Sequence, residues 1–473
     1  MYINGEWLTT EKTFAVYNPA CGEEIGQVAD GERHHAVMAI EAAQAAFAGW
    51  AGATAYQRSE CLYRAYELMV ERKQQLAELM TREQGKPLKA SLNEVQYGAD
   101  FLRWYAEEAK RVYGETIPSA RSDQRFLIHQ QPVGVVAAIT PWNYPVSMIT
   151  RKVAPAIAAG CTIVLKPAEA TPLCAMAVFE ILHDAGVPAG VVNLVTSAEP
   201  KPIGEEFCSN VLVKKLTFTG STPVGKVLAR DAAPQLKRVS MELGGHAPFI
   251  VFDDADPVHA AKGVALIKFL NAGQACISPN RIFVQRSIVE LFLNTLKERV
   301  SKLQAGNGLE SGVTIGPLVN QAAVDKVDNQ VVDALAKGAT LLHGGERLVE
   351  GNLKNGHFYA PTLLSNVSSD MLIYREETFG PVAAVIAFDS EDEVLAMAND
   401  TNYGLAAYVY TQNLSRAMRT FEGLQFGIIG INDINPTSAA APFGGMKESG
   451  LGREGARDGL KEYLETKLGG FSI

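Results

Sequence analysis

The sequence predicts an α/β protein made of two alternating units and a small extended arm. Three observations carry this. Short β-rich runs alternate with helix-compatible stretches from residue 131 onward. The alternation restarts after about residue 246. Two extended segments far apart in the chain fit neither unit.

Taken in order, residues 36–52 and 57–83 are rich in Ala, Leu, Glu and Gln at helical spacing, and "NEVQYGADFLRWYAEEAKRVYG" continues that character to residue 114. The first quarter therefore reads as mostly helical. Next come "VGVVAAI" (133–139), "CTIVLK" (161–166), "GVVNLVT" (190–196), "VKKLTFTG" (213–220), "RVSMELGG" (238–245) and "APFIVFDD" (247–254), with helix-compatible stretches such as "VSMITRKVAPAIAAG" between them. Such alternation implies a parallel sheet wrapped by helices. The second unit has strands at "RIFVQ", "ATLLHGG", "PVAAVIAF" and "AAYVYT", and helices near 287–304, 324–337, 391–400 and 414–423. The segments 115–132 and "LETKLGGFSI" at the C-terminus are extended and can pair into one arm. There is no internal repeat and no low-complexity tract.

The 473 residues suit two or three domains. Lys and Arg number 43 against 52 Asp and Glu, a net charge of −9 with no basic block, which argues against nucleic acid or an anionic membrane as the main partner. No apolar run approaches the ~20 residues of a membrane span. The start, "MYINGEWLTT", has no secretory pattern, so a cytoplasmic location is expected. The cysteines at 21, 61, 161, 174, 208 and 276 show neither CxxC pairing nor zinc-ligand spacing with the histidines, so no metal is expected and the thiols read as reduced.

Several stretches carry chemistry. "FTGSTPVGKVLA" places Gly220 and Gly225 after a strand and before a helix, where a helix N-terminus can meet phosphate; a plain strand-to-helix turn explains the same pattern. "VLKPAEATP" sets Lys166 and Glu169 at a strand end, suited to ribose hydroxyls, although taken alone the stretch reads first as a surface ion pair at a helix start. "MELGGHAP" gives Glu242 before two glycines, and "PWNYP" fixes Trp142 and Asn143 between prolines. Cys276 follows "NAGQA"; a lone cysteine is usually a core residue, while a nucleophilic one needs an opened backbone and a group that stabilises developing charge.

Together and in this order, "PWNYP", "LKPAE", "FTGSTPVG", "MELGGHAP", "NAGQACIS", "EETFGPV", "NYGLAA" and "PFGGMKESGLGREG" resemble the aldehyde dehydrogenase superfamily from one end of the chain to the other. The resemblance implies a Rossmann-like NAD-binding domain, an α/β catalytic domain and a small β oligomerisation arm. On this chain these are 1–114 with 133–245, then 246–448, then 115–132 with 449–473. It further implies a homodimer or homotetramer acting on a small-molecule aldehyde.

For the site, the resemblance makes Cys276 the nucleophile, Glu242 the general base and Asn143 half of an oxyanion hole, with Lys152 also catalytic. A thiolate makes the aldehyde carbon tetrahedral so that hydride can leave, and a water activated by Glu242 hydrolyses the resulting thioester. The cofactor is expected against Thr140, Trp142, Lys166, Ala168, Glu169, Thr219, Gly220, Ser221, Val224, Gly225, Leu243, Glu377 and Phe379. The carboxylate of Glu169 accepts a ribose hydroxyl but repels a 2′-phosphate, so NAD is preferred over NADP.

For the substrate, the resemblance points to Arg151, Tyr144, Leu270, Thr437, Ser438 and Phe443. Arg151 beside Lys152 is similar to the succinate-semialdehyde dehydrogenase group, where the arginine receives a distal carboxylate. This chain departs from that group in having Leu270 in place of a second arginine. An uncharged aliphatic or aromatic aldehyde is the alternative substrate. Transfer of the acyl group to coenzyme A is disfavoured because Glu242 is present, and a purely structural role because Cys276, Glu242 and Asn143 all stand.

Overall fold

The computed structural model describes residues 1–473. Its largest sheet has eight strands, in spatial order Gly450–Leu451, Arg238–Glu242, Val213–Thr219, Val135–Ile139, Thr162–Lys166, Val192–Leu194, Tyr2–Ile3 and Glu6–Trp7. The five strands from Arg238–Glu242 to Val192–Leu194 are parallel. The runs "VVAAI" and "TIVLK" are buried almost throughout, as strands covered on both faces must be. Val135–Ile139, first of the five in sequence, lies at their centre; the next two strands lie to one side of it and the last two to the other. The chain therefore reverses direction of build beside Val135–Ile139. This opens a crevice at the carboxyl ends of Val135–Ile139 and Val213–Thr219, where ligands of such sheets collect.

Helices Arg33–Gly52, Ala55–Glu71, Lys73–Gln84, Leu88–Glu108, Ser147–Ala159 and Pro172–Asp184 belong to this first unit. The expected helical run 57–83 is broken at Arg72, whose φ of −91° and ψ of 11° leave the helical region. Nor is the N-terminus helical: residues 2–7 extend the sheet edge, and Thr13–Tyr17 pairs with Glu24–Ala29 as a hairpin.

The second sheet has seven strands, ordered Thr340–His343, Thr362–Ser365, Val382–Phe388, Pro279–Gln285, Ala247–Val251, Ala406–Tyr410 and Ile428–Ile431, all parallel except the first. Thr362–Ser365 and Ile428–Ile431 lie outside the runs expected as strands. The short link 243–246 joins Arg238–Glu242 of the first sheet to Ala247–Val251 of the second, so the edge of one unit passes directly into the centre of the other.

In the third sheet Leu464–Ser472 runs antiparallel to Gln124–Pro132, and Glu115–Ile117 takes the other side. This sheet uses less of the C-terminus than the expected arm of 449–473. Gly450–Leu451 instead pairs with Met241 and Glu242, and the helix Ala456–Lys461 buries Leu460 in the first unit's core. The apolar side chains of Leu460 and Tyr463 explain why the chain stays there before leaving as a strand. No helix is long and apolar enough to cross a membrane.

Candidate active site

Two cavities meet at Cys276. One, of about 260 Å³, is lined by Trp142, Asn143, Thr219, Gly220, Glu377 and Phe379 among others; the second, of about 520 Å³, is lined by Tyr97, Tyr144, Arg151, Leu270, Thr437 and Phe443 among others. Only Cys276 and Met148 belong to both walls. The half-buried Cys276 thus packs against the core on one side and lines both cavities on the other.

The loop that presents it is bent. Asn271 and Ala272 have φ of 51° and 54°, and Gly273 has 75°, so three successive residues occupy the left-handed region. At Gly273 a side chain would run into the Gly380 carbonyl. On the other side Gly245 packs against the Cys276 carbonyl oxygen, where a Cβ would collide, and a Cβ on Gly244 would crowd the Glu377 carboxylate. Burial pushes the Cys276 thiol up to about 12; Arg151 opposes this, while Glu242 and Glu377 add to it.

Asn143 is buried and donates from Nδ2 to the Gln274 carbonyl at 3.0 Å. An amide NH2 has two protons, so one remains beside the cysteine loop. The Cys276 N–H donates to no backbone carbonyl. Glu242 ends its strand with both carboxylate oxygens sealed from solvent and unpaired. Its acid is held well above the usual carboxylate range, first by burial and then by Glu454. Glu242 faces neither cavity directly, but it is close enough to Cys276 to raise the thiol.

Arg151 lines the larger cavity and is itself buried. Its guanidinium stacks on Phe443, 4.0 Å from the ring centre, and Nη2 lies 3.0 Å from Glu454 Oε2 without the alignment of a hydrogen bond. Phe443 and Glu454 exchange backbone hydrogen bonds of 2.7 and 2.8 Å, so one bridge supplies both the ring and the carboxylate. Lys152, expected among the catalytic residues, opens onto neither cavity; its ammonium is buried against Glu454 and donates to Thr217 Oγ1 at 3.1 Å. Ser438 is likewise not on the cavity wall, since its carbonyl closes a turn onto the Ala441 N–H. Thr437 and Leu270 are on the wall as expected.

On the cofactor side, the rings of Trp142 and Phe379 meet edge to face at 5.6 Å, and Glu377 Oε1 accepts from the Gly245 N–H at 2.8 Å. Burial pushes Glu377 up to about 7. Ser221 and Leu243 line the smaller cavity, whereas Thr140, Lys166, Ala168, Glu169, Val224 and Gly225 lie outside it, at the strand ends or on the helix Thr222–Ala232. The Thr140 N–H donates to the Lys166 carbonyl at 3.2 Å, which ties the two strand ends together. Lys166 and Glu169 do form the ion pair, at 3.0 Å, with Lys166 buried and Glu169 52% exposed.

The sequence reading overlooked Lys86, Glu94, Tyr97, Met148 and Glu454. Glu454 sits inside a quoted motif, "GREG", but Lys86 and Glu94 are ordinary helix-surface types until the fold buries them.

The chain is 50% identical over 468 residues to a glutarate-semialdehyde dehydrogenase of Pseudomonas putida, covering 98% of this chain and 96% of the relative. It is 49% identical to the succinate-semialdehyde dehydrogenase [NADP(+)] GabD of Escherichia coli, with coverage of 98% and 96%. The crystal structure of succinate-semialdehyde dehydrogenase from Burkholderia pseudomallei superposes with a TM-score of 0.97 at 48% identity, over 100% of this chain and 97% of that one. The model of the Aldehyde dehydrogenase family matches residues 7–468, and with two cavities converging on one cysteine the chain belongs to that family and is an oxidoreductase.

Proposed function

We propose that this chain oxidises an aldehyde bearing a carboxylate at its far end, of the succinate- or glutarate-semialdehyde type, to the dicarboxylate. Arg151 is the observation that carries this reading. It is a buried guanidinium on the wall of the cavity that reaches Cys276, and its Nε and Nη2 donate no aligned hydrogen bond. Arg151 and Lys152 share the single carboxylate of Glu454, so the cluster carries an unmatched positive charge, which suits a substrate carboxylate. The names of the relatives from Pseudomonas putida and Escherichia coli point the same way.

Each residue then has a task. Cys276 Sγ gives up its proton to solvent and bonds to the aldehyde carbon as the C=O π electrons move onto oxygen; the new oxyanion accepts hydrogen bonds from the second Asn143 Nδ2 proton and from the Cys276 N–H. The family uses NAD(P), whose nicotinamide when bound accepts the hydride. Glu242, raised by its surroundings, takes a proton from the water that cleaves the thioester, freeing the thiol and releasing the acid. Lys152 acts from behind: with Arg151 it holds Glu454 ionised despite burial, which keeps the charge around Glu242 fixed. Hydrolysis rather than transfer to coenzyme A follows from the presence of Glu242.

The protein fits the dinucleotide. The hydroxyls of Thr140 and Thr219 are buried and unpartnered at the two strand ends that flank the crevice. Trp142, Ser221, Leu243, Glu377 and Phe379 would enclose the nicotinamide end, Gly220, Val224 and Gly225 the pyrophosphate, and Lys166, Ala168 and Glu169 the adenosine ribose. NAD is favoured over NADP because the half-exposed Glu169 carboxylate repels a 2′-phosphate. The work divides by sheet: the eight-stranded sheet holds the cofactor and the seven-stranded sheet presents Cys276. The three-stranded sheet, with Leu127, Leu468 and Phe471 exposed, pairs copies into a dimer or tetramer.

Arg151→Leu tests the substrate reading. With Glu454 already sharing the charge, KM for succinate semialdehyde should rise about tenfold while that for a neutral aldehyde of equal length stays put. Equal changes on both would make Arg151 structural and the enzyme a dehydrogenase of uncharged aldehydes.

A further inference from the structure

The turn 143–147 links the strand Val135–Ile139 to the helix Ser147–Ala159, and a buried ion pair holds it from behind. Lys86 and Glu94 pair directly, each side chain 1% exposed. Lys86 Nζ donates to the Asn143 carbonyl at 2.7 Å and sits 4.0 Å from the centre of the Tyr144 ring. Glu94 Oε1 accepts from the N–H groups of Val146 at 3.0 Å and Ser147 at 3.3 Å. One ion pair thus grips both ends of the turn.

Both residues lie on the wall of the larger cavity, so a role in receiving the aldehyde's carboxylate is the rival reading. The geometry argues against it. The ammonium is already committed to a carboxylate, a carbonyl and a ring face, and its charge is matched by Glu94. Two apolar groups of the same volume would often stabilise the fold as well or better, so stability alone does not account for a charged pair here. What the pair fixes is Asn143. Its carbonyl also accepts from Asn271 Nδ2 at 3.0 Å, and its own Nδ2 reaches Gln274, so the turn and the cysteine loop are locked in register.

We propose that Lys86 and Glu94 are positioning residues that aim the Asn143 amide at the oxyanion. This rests on the reading of Asn143 as an oxyanion donor, and the controls separate the two. The test is the double variant Lys86→Met/Glu94→Leu, which removes both charges together and leaves neither one unpaired. In the holoenzyme its pre-steady-state NADH burst should slow about a hundredfold, the scale of one lost oxyanion donor. The slowing should be equal for succinate semialdehyde and propionaldehyde. Alkylation of Cys276 by iodoacetamide forms no oxyanion and should stay within about twofold of wild type. Asn143→Ala should reproduce this pattern. If the double variant does not fold, Glu94→Gln carries the same comparison with a burst slowed about tenfold, because an uncharged acceptor still meets Val146 and Ser147.

A normal burst in the double variant beside a slow one in Asn143→Ala would overturn the positioning role alone. A defect confined to the semialdehyde would make Lys86 a substrate receptor instead. Alkylation falling in parallel with the burst would mean that the whole site had loosened, which also defeats the proposal. A normal burst in Asn143→Ala would sink the oxyanion reading itself.

Discussion

The smaller cavity is walled mainly by turns at strand ends, 141–143, 219–221 and 243–244, together with the loop 377–379, whereas the larger takes side chains from the helices Leu88–Glu108 and Ser147–Ala159, from the cysteine loop and from residues 434–443. In the first, short local motifs specify the wall, because each turn is set by its own glycines and prolines. In the second, the wall exists only once four distant segments have packed. Arg151 shows what this means: its neighbours Phe443 and Glu454 are about three hundred residues away in sequence and decide how much of its charge a substrate meets.

The sharpest way to break the picture of two cavities serving one thiol is Cys276→Ala. Turnover should fall more than about a hundredfold while cofactor binding, measured by fluorescence titration, is retained. Persisting activity would mean that the cavities converge on the wrong atom. Next in size, Glu242→Gln should lower steady-state turnover about a hundredfold yet leave a stoichiometric NADH burst, since it acts on the water step. Losing that carboxylate also removes one of the influences that raise the Cys276 thiol, so acylation should not suffer. Simultaneous loss of burst and turnover would place Glu242 in acylation instead.

The same variant has a second expected signature, in stability. Glu242 in the fold titrates well above the ordinary 4.5. As pH rises above 4.5 the folded chain keeps a proton that the unfolded chain releases, so stability falls with rising pH. Glu242→Gln cannot release that proton and should gain on the wild type as pH rises above 4.5 in urea denaturation. A constant difference would mean that Glu242 ionises normally in the fold. The smallest effect is expected on the cofactor side. Glu169→Ser should shift the ratio of kcat/KM for NADP over NAD upward about three- to fivefold, the scale of one screened surface charge. An unchanged ratio would move cofactor choice to other residues.

Much of this was readable in the chain. The parallel strands announced themselves as apolar runs because both faces are covered, and the link 243–246 was visible as two glycines after an acid. Cys276, Glu242 and Asn143 were picked out by motif, and the fold brings Glu242 and Asn143 to the Cys276 loop. Other features could not be read. The split at Arg72 leaves no break in helical spacing. The end of the arm at Leu464 depends on where Leu460 and Tyr463 find a core.

The sequence by itself determined the α/β alternation and the family, since these are fixed by local period and by motifs spread along the whole chain. Only the tertiary structure decided which charges stand free. Burial matches Lys86 to Glu94, turns Lys152 away from both cavities toward Glu454, and leaves Arg151 sharing that same carboxylate on the wall of the larger cavity. The physical reason is that the energy of a buried charge is set by its partners within a few ångströms, and those partners come from segments that meet only when the chain has folded.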